Sequence, residues 1–255
     1  MDLNFTNIIA YFIIYSFLGW VLESVYKTLY QKKLVNSGFL YGPFCPIYGF
    51  GAIIMYLFLD EVANKPIITF CLGFVILSIW EYVVATILEK IFNTKYWDYS
   101  NNMFNLNGKV CLLNSIFWGI LAVIFIDIVH PFVENGLAKI EPELILKLDI
   151  IIIIIMLIDE AISVKTVIGM KYKLKRVEEI NLKIKEKLEE IKQVGKGIEI
   201  KTDSLEKVVD ELKLKRDRII RRSYRYICRI KRAFPTIKSE QITKLLNQRK
   251  ENLKK

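Results

Sequence analysis

Residues 67–87 read IITFCLGFVILSIWEYVVATI, an unbroken apolar run with one charged side chain, Glu81. An α-helix rises 1.5 Å per residue, so a run of this length covers a bilayer core of about 30 Å. Lipid is the solvent this stretch is written for. Four further windows carry the same signature: Ile8–Tyr26, Phe39–Leu59, Val110–Val129 and Leu144–Val164. The last holds Lys147, Asp149, Asp159 and Glu160 around an Ile150–Ile158 centre, and these charges are expected to face protein, water or headgroups. Across all 255 residues 53% are hydrophobic, too apolar for an ordinary soluble domain. The fold expected is all-α: a polytopic membrane helix bundle of about five transmembrane helices with a C-terminal cytoplasmic helical tail. The start of the chain is acidic and Lys-free, with no A-x-A-like site, so the first apolar run is expected to stay as an anchor.

Charge sets the orientation. Residues 1–169 hold 10 Lys+Arg against 14 Asp+Glu, and residues 170–255 hold 27 against 13. Lys27, Lys32 and Lys33 follow the first window, and Lys90, Lys95 and Lys109 lie between the third and fourth, whereas the other two loops supply only Lys65 and Lys139. Basic loops stay in the cytoplasm. Five crossings then place the N-terminus outside and the chain beyond Val164 inside a cell membrane, the side on which the basic tail belongs. The domain division expected is 1–168, transmembrane, and 169–255, a basic cytoplasmic tail.

In that tail Val177, Ile184, Ile191, Ile198, Leu205, Leu212, Ile219 and Tyr226 recur every seven residues, with Ile180, Val194 and Val208 partly filling a second position. The spacing is that of coiled-coil-like packing with a half-filled seam. Gly195 and Gly197 interrupt it, Thr202, Asp203 and Ser204 are cap candidates, and Pro235 is a stop. Two helices meeting near 195–204 are predicted, folded into a hairpin or paired with another chain, then a short helix after Ser239.

The candidate functional residues gather on the expected cytoplasmic side. Glu23 lies in the last turn of the first window, Glu81 in the inner half of the third, and Glu89 beyond it. A carboxylate at membrane depth marks a pathway, water or a partner group. For Glu81 two readings stand level: a functional group, or a structural carboxylate paired with Lys27, Lys90 or a polar group from the fourth window. Residues 38–50 read GFLYGPFCPIYGF, in which Tyr41, Gly42, Pro43, Cys45 and Pro46 fall where a helix is hard to continue. Only 13 residues remain from Ile47 to Leu59, short for a crossing, so a broken segment at membrane depth is expected, with a helix starting at Pro46 as the alternative. The loop with Trp97, Asp98 and Tyr99, then Asn105 and Asn107, leads to Asn114 at the start of the fourth window. Trp97 and Tyr99 also suit an interfacial aromatic anchor. His130 is the single histidine and reads as a boundary residue.

Several chemistries are excluded. There is no GxxxxGK[ST] loop, no G-x-S-x-G, no H-E-x-x-H, and the four cysteines show no CxxC spacing. No catalytic set, metal or cofactor is expected, and a carboxylate pair, Glu81 with Asp98, is the sole enzymatic alternative.

The motifs resemble those of the bacterial membrane family labelled putative ABC-transporter type IV, or CmpB-like. The residues that carry the resemblance are Gly19-Trp20-Val21-Leu22-Glu23, Asn36, the run from Gly38 to Gly51, Glu81-Tyr82, Glu89, Trp97-Asp98-Tyr99-Ser100, Phe104-Asn105-Leu106-Asn107-Gly108, Cys111-Leu112 and Trp118-Gly119. It covers about residues 10–131. The label implies a permease or transport component that lacks its own ATPase. Partners expected on that reading are membrane lipids, a separate ATPase subunit or other membrane protein, and a second copy of the chain; nucleic acid is not expected. The alternative is a membrane scaffold or sensor whose basic helices bind a protein or anionic lipid.

Overall fold

The computed structural model describes residues 5–193 and 199–238, and their regular elements are helical, with two isolated β-bridges besides. In order these are α1 (Phe5–Gln31), α2 (Pro46–Leu59), α3 (Pro66–Phe92), α4 (Leu112–Ile124), α5 (His130–Leu137), α6 (Pro142–Gln193) and α7 (Glu199–Ala233). A 3-10 turn, Asp60–Val62, follows α2, and a π-helical stretch, Phe125–Val129, joins α4 to α5. Pro46 and Pro66 open α2 and α3, where a missing N–H costs nothing, and Asn93 closes α3 in the left-handed region at φ 45°.

Three stretches are long and apolar enough to cross a membrane: Asn7–Gln31, Pro66–Phe92 and Leu112–Leu137. Each buries a third or less of its most apolar window inside the protein. The outward faces are stripes at helical spacing, Leu72, Val75, Ile79 and Val83 on α3 and Leu113, Phe117, Ile120 and Ile124 on α4. Water would make such stripes sticky; lipid accepts them. This is a membrane protein. The second and fifth windows differ from these three. The helix in the second has 14 residues, about 21 Å long. In α6 the outward face is Ile150, Ile151, Ile154, Ile155 and Ile158, while Ile145, Asp149, Met156 and Ser163 turn inward.

The chain forms two compact units. The first comprises residues up to Ser163 together with Lys231–Lys238. Its core joins Tyr11 and Tyr15 of α1, Met55 and Leu59 of α2, Leu77 of α3 and Ala122 of α4 with Phe125 and Ile126. Small residues let these helices approach, as membrane helices require. Gly73 of α3 meets Ala122 of α4, Gly119 of α4 meets Phe70 of α3, and Gly49 of α2 lies on Phe12 and Ser16 of α1.

The stretch before α2 explains how a short helix still follows α1 closely. After Gln31 the chain turns and runs back along α1 without regular structure. Val35 N–H donates to Thr28 Oγ1 (3.1 Å), Ser37 N–H to Ser24 Oγ (3.1 Å), Trp20 Nε1–H to Asn36 Oδ1 (2.7 Å), and Cys45 N–H to the Ser16 carbonyl (2.9 Å). From Thr28 to Ser16 these contacts climb roughly 18 Å of helix. The Gly/Pro-rich segment is therefore irregular and lies beside the middle of α1.

In the second unit α6 and α7 pack antiparallel. Met170, Leu174 and Val177 meet Ile220 and Ile227, and Ile180 and Ile184 meet Val209. The two helices thus pair within one chain. Val208, expected on the seam, is 39% exposed, and Val209 is 2% exposed in its place. The fully buried line of α7 is Val209, Ile220, Ser223, Ile227 and Ile230; of the seven-residue series, Val177 and Ile184 are buried in the seam and Ile191, Leu212, Ile219 and Tyr226 pack against it partly buried. Thr202, Asp203 and Ser204 lie inside α7, which begins at Glu199, so they do not cap it. Val194, Gly195, Gly197, Ile198 and the short helix expected after Ser239 lie outside the described residues.

A methyl group on Gly49 would press on the Phe12 carbonyl at 2.7 Å, whereas one on Gly136 would meet nothing. Gly49→Ala is expected to cost about 1–3 kcal/mol and Gly136→Ala to be neutral or stabilising by up to about 1 kcal/mol, as read by thermal unfolding in detergent.

Candidate functional site

The polar residues gather at the end of the first unit where α1 and α3 finish and α4 begins, which is also its Lys-rich end. Glu81, on α3, is 4% exposed. Asn114 and Trp118 stand one turn apart on α4, so both reach the same carboxylate. Asn114 Nδ2 donates to both oxygens (2.8 and 2.9 Å) and Trp118 Nε1 to Oε2 (3.0 Å). Tyr99 OH, from the loop before α4, donates to Oε1 (3.2 Å). Among the described residues no cation pairs with Glu81. Its partners are neutral donors, two of them from α4, and Lys27 belongs to Glu23 instead.

Glu23, on α1, forms the second cluster. It accepts from Lys27 Nζ (2.6 Å), Ser37 Oγ (2.6 Å) and Tyr48 OH (3.0 Å), and Lys27 also donates to Ser37 Oγ (2.8 Å). The Tyr48 ring lies 5.8 Å from that of Trp118, which links the two clusters. It fits against α1 because residue 19 is glycine; a Cβ there would overlap the ring.

The irregular segment is fixed from a third side. Tyr41 N–H and Gly42 N–H donate to the two oxygens of Asp159 on α6 (3.0 and 2.7 Å). A charge in an apolar window thus satisfies two backbone groups of the irregular segment. Pro43 is exposed, Cys45 is buried beside Gly38, and Pro46 opens α2, whose first carbonyls include that of Ile47, bonded by Trp80 Nε1 (3.1 Å).

The loop between α3 and α4 is a compact scaffold. Trp97 Nε1 donates to the Lys109 carbonyl (2.9 Å) and Tyr99 N–H to that of Gly108 (2.8 Å). Asn105 Nδ2 holds the Ser100 and Asn102 carbonyls (3.2 and 2.9 Å), and its Oδ1 accepts from Gly108 N–H (3.1 Å). Asn107, at φ 55°, donates to Tyr82 OH (3.1 Å). Glu89 pairs with Lys109 (3.1 Å) and reaches Lys95 at 4.0 Å.

Asp98 pairs with Lys238 and accepts from the Ser100 N–H at 3.1 Å. Burial works to raise its pKa, but the bonds from Lys238 and Ser100 outweigh burial and hold the carboxyl below its ordinary range. With the folded value depressed, the pair contributes in full above the ordinary value of 3.8 and is lost only as pH falls through the lower one. Tyr99 is shifted the other way, by burial first and then by Glu81, so its phenol stays protonated as the donor the cluster needs.

Of the residues singled out in the sequence, the structure brings Glu23, Glu81, Tyr99 and Asn114 into linked clusters. It assigns Glu89, Trp97, Asn105 and Asn107 to holding the loop, and Tyr41 and Gly42 to the Asp159 anchor. Tyr48, Trp118 and Ser37 join the clusters as partners that the sequence does not single out, although the four-residue step from Asn114 to Trp118 is visible there; Asp159 faces protein, one of the surroundings expected for it. His130 is a correction. It is buried, bonded at Nδ1 to Tyr15 OH (2.7 Å) and ringed by Tyr11, Tyr56 and Phe125, because α5 continues the rod of α4 past it. No metal-binding group of His, Cys, Asp and Glu occurs among the described residues.

Apolar helices with outward apolar stripes and buried polar clusters define an integral membrane protein with a built site at one end. A family model described as putative ABC-transporter type IV matches residues 10–164, and the chain belongs to that family. The match extends past the motif-bearing region into α6. No curated protein and no solved structure matches the chain.

Removing the carboxylate strands three donors. Glu81→Leu is expected to lose about 2–5 kcal/mol and Trp118→Phe only about 1 kcal/mol, each unmet buried donor costing about 1–3 kcal/mol; thermal unfolding of the purified variants in detergent reads both.

Proposed function

We propose that the chain is a membrane-embedded transport component, permease-like and dependent on a separate ATPase subunit. The observation that carries this reading is the pair of carboxylate clusters, Glu23 with Tyr48 and Glu81 with Tyr99 and Asn114, beside an irregular segment in otherwise apolar helices. Transporter sites are built where broken segments free backbone groups at membrane depth. The family description, an ABC-transporter type, supports the same reading.

On this reading the chain crosses the plasma membrane five times: α1, the irregular segment with α2, α3, the α4–α5 rod, and the first part of α6. Lys27, Lys32, Lys33, Lys90, Lys95 and Lys109 mark the cytoplasmic end, and the N-terminus lies outside. Residues 1–168 are the membrane domain and 169–255 the cytoplasmic tail. Glu23, Glu81, Tyr99 and Asn114 line the path, Tyr41–Pro46 form its wall, and Glu89, Trp97, Asp98, Asn105 and Asn107 hold the loop that closes it. A solute displaces Asn114, Trp118 and Tyr99 from Glu81 as it passes.

A scaffold or sensor is the second reading. It is favoured by the exposure of Lys213, Lys215, Arg218, Arg221, Arg222 and Arg225 on α7, each contributing about 1 kcal/mol at an anionic surface.

A cysteine placed at Asn114, with the four native cysteines replaced, is expected to react with a small aqueous thiol reagent in native membranes under turnover, and an ATPase is expected to co-purify with the chain. Complete protection under every condition, with no ATPase recovered, would replace transport by the scaffold reading.

A further inference from the structure

Residues 231–238 return to the Lys-rich end of the first unit and touch a side chain beside each carboxylate cluster. The last carbonyls of α7 point at α1: Gln31 Nε2 donates to the Arg232 carbonyl (2.9 Å) and Lys27 Nζ to that of Ala233 (2.6 Å). Helix C-terminal carbonyls lack intrahelical donors and carry partial negative charge, so a lysine is their natural partner. Phe234 stands edge-on to Tyr96 (5.0 Å) with the Lys27 ammonium over its ring (5.2 Å). Beyond Pro235, Thr236 Oγ1 accepts from Asp98 N–H (3.3 Å). Lys238 exchanges both backbone bonds with Lys95 (2.9 and 3.2 Å) and pairs with Asp98, whose side chain is 2% exposed.

Two of these contacts bear on the clusters directly. Lys27 is the cation of Glu23 and the partner of Ser37, which is 0% exposed. Asp98 precedes Tyr99, which donates to Glu81. The segment is seated by one ring contact, Phe234 on Tyr96, and otherwise held by side-chain-to-carbonyl bonds, one isolated two-bond bridge and an ion pair whose lysine is 63% exposed. Each such contact contributes only modestly, so the segment is held firmly in sum and can be released contact by contact.

We propose that residues 231–238 are a latch that closes the Lys-rich end of the membrane unit over the Glu23 and Glu81 clusters, and that its release opens them to water. The closure rests on contacts alone; only its use as a gate rests on the transport reading. Lys27 loses a carbonyl partner on release and turns toward water, and the Trp97–Tyr99 loop loses its anchor at Asp98.

The test uses the full chain in native membranes, with the four native cysteines replaced and Ser37→Cys as reporter, labelled by a membrane-impermeant maleimide and located by mass spectrometry. Lys238→Glu sets two carboxylates against each other and is expected to speed labelling at position 37 by at least about tenfold, the equivalent of 1.4 kcal/mol. Where Lys238→Glu does not fold, Lys95→Cys with Lys238→Cys serves, since facing residues of an antiparallel bridge are close enough for a disulfide. The oxidised form is expected to protect position 37 and the reduced form to expose it. Equal labelling of Lys238→Glu and parent, or of oxidised and reduced forms, overturns the latch. Because labelling needs neither ATPase nor solute, the latch can fail while transport stands, and the reverse.

Discussion

Lipid offers no hydrogen bonds, so a non-helical stretch packed among membrane helices must find partners inside the protein, and between Lys32 and Cys45 the N–H groups of Val35, Ser37, Tyr41, Gly42 and Cys45 find theirs on α1 and α6. The bond from Cys45 N–H to the Ser16 carbonyl sets the depth at which α2 starts. Everything nearby follows from it. Tyr48 falls beside Gly19 and reaches Glu23, Gly49 meets Phe12, and Tyr41 and Gly42 come within reach of Asp159. A continuous helix through the same sequence would keep its N–H groups for itself and leave Asp159 without those donors.

The two carboxylates are held in opposite ways. Glu23 has a lysine, a hydroxyl and a phenol; Glu81 has an amide, an indole and a phenol and no cation among the described residues. Neutral donors satisfy the oxygens of Glu81 where Glu23 has the cation Lys27. Tyr48 and Trp118 are in ring contact, and the phenol serves Glu23 while the indole serves Glu81.

Much of this was legible in the residue order. Long apolar runs with outward stripes gave the membrane helices of α1, α3 and the α4–α5 rod, because lipid-facing helices need no partner pattern. The irregular nature of 38–45 was readable from Gly42, Pro43 and Pro46. Other features were not legible. The Asp159 contact spans more than a hundred residues, and no local spacing encodes it. Val209 rather than Val208 fills the α6–α7 seam because α7 is a separate helix whose register is set by packing against α6, not by a count carried on from Ile180. His130 read as a boundary because Pro131 follows it, yet proline at the first helical turn is permitted and the rod runs on to Leu137. The return of 231–238 to Lys27 and Asp98 left no sign in sequence beyond the stop at Pro235.

The depth of the irregular segment decides the account, and paired nitroxide labels measure it. Phe17 and Phe44 are in ring contact at 6.4 Å, whereas Tyr30 lies about 20 Å further along α1. In the full chain reconstituted in bilayers, labels at 17 and 44 should show strong dipolar broadening and labels at 30 and 44 much less. Stronger coupling for the 30 and 44 pair would put the segment at the membrane surface and contradict the account.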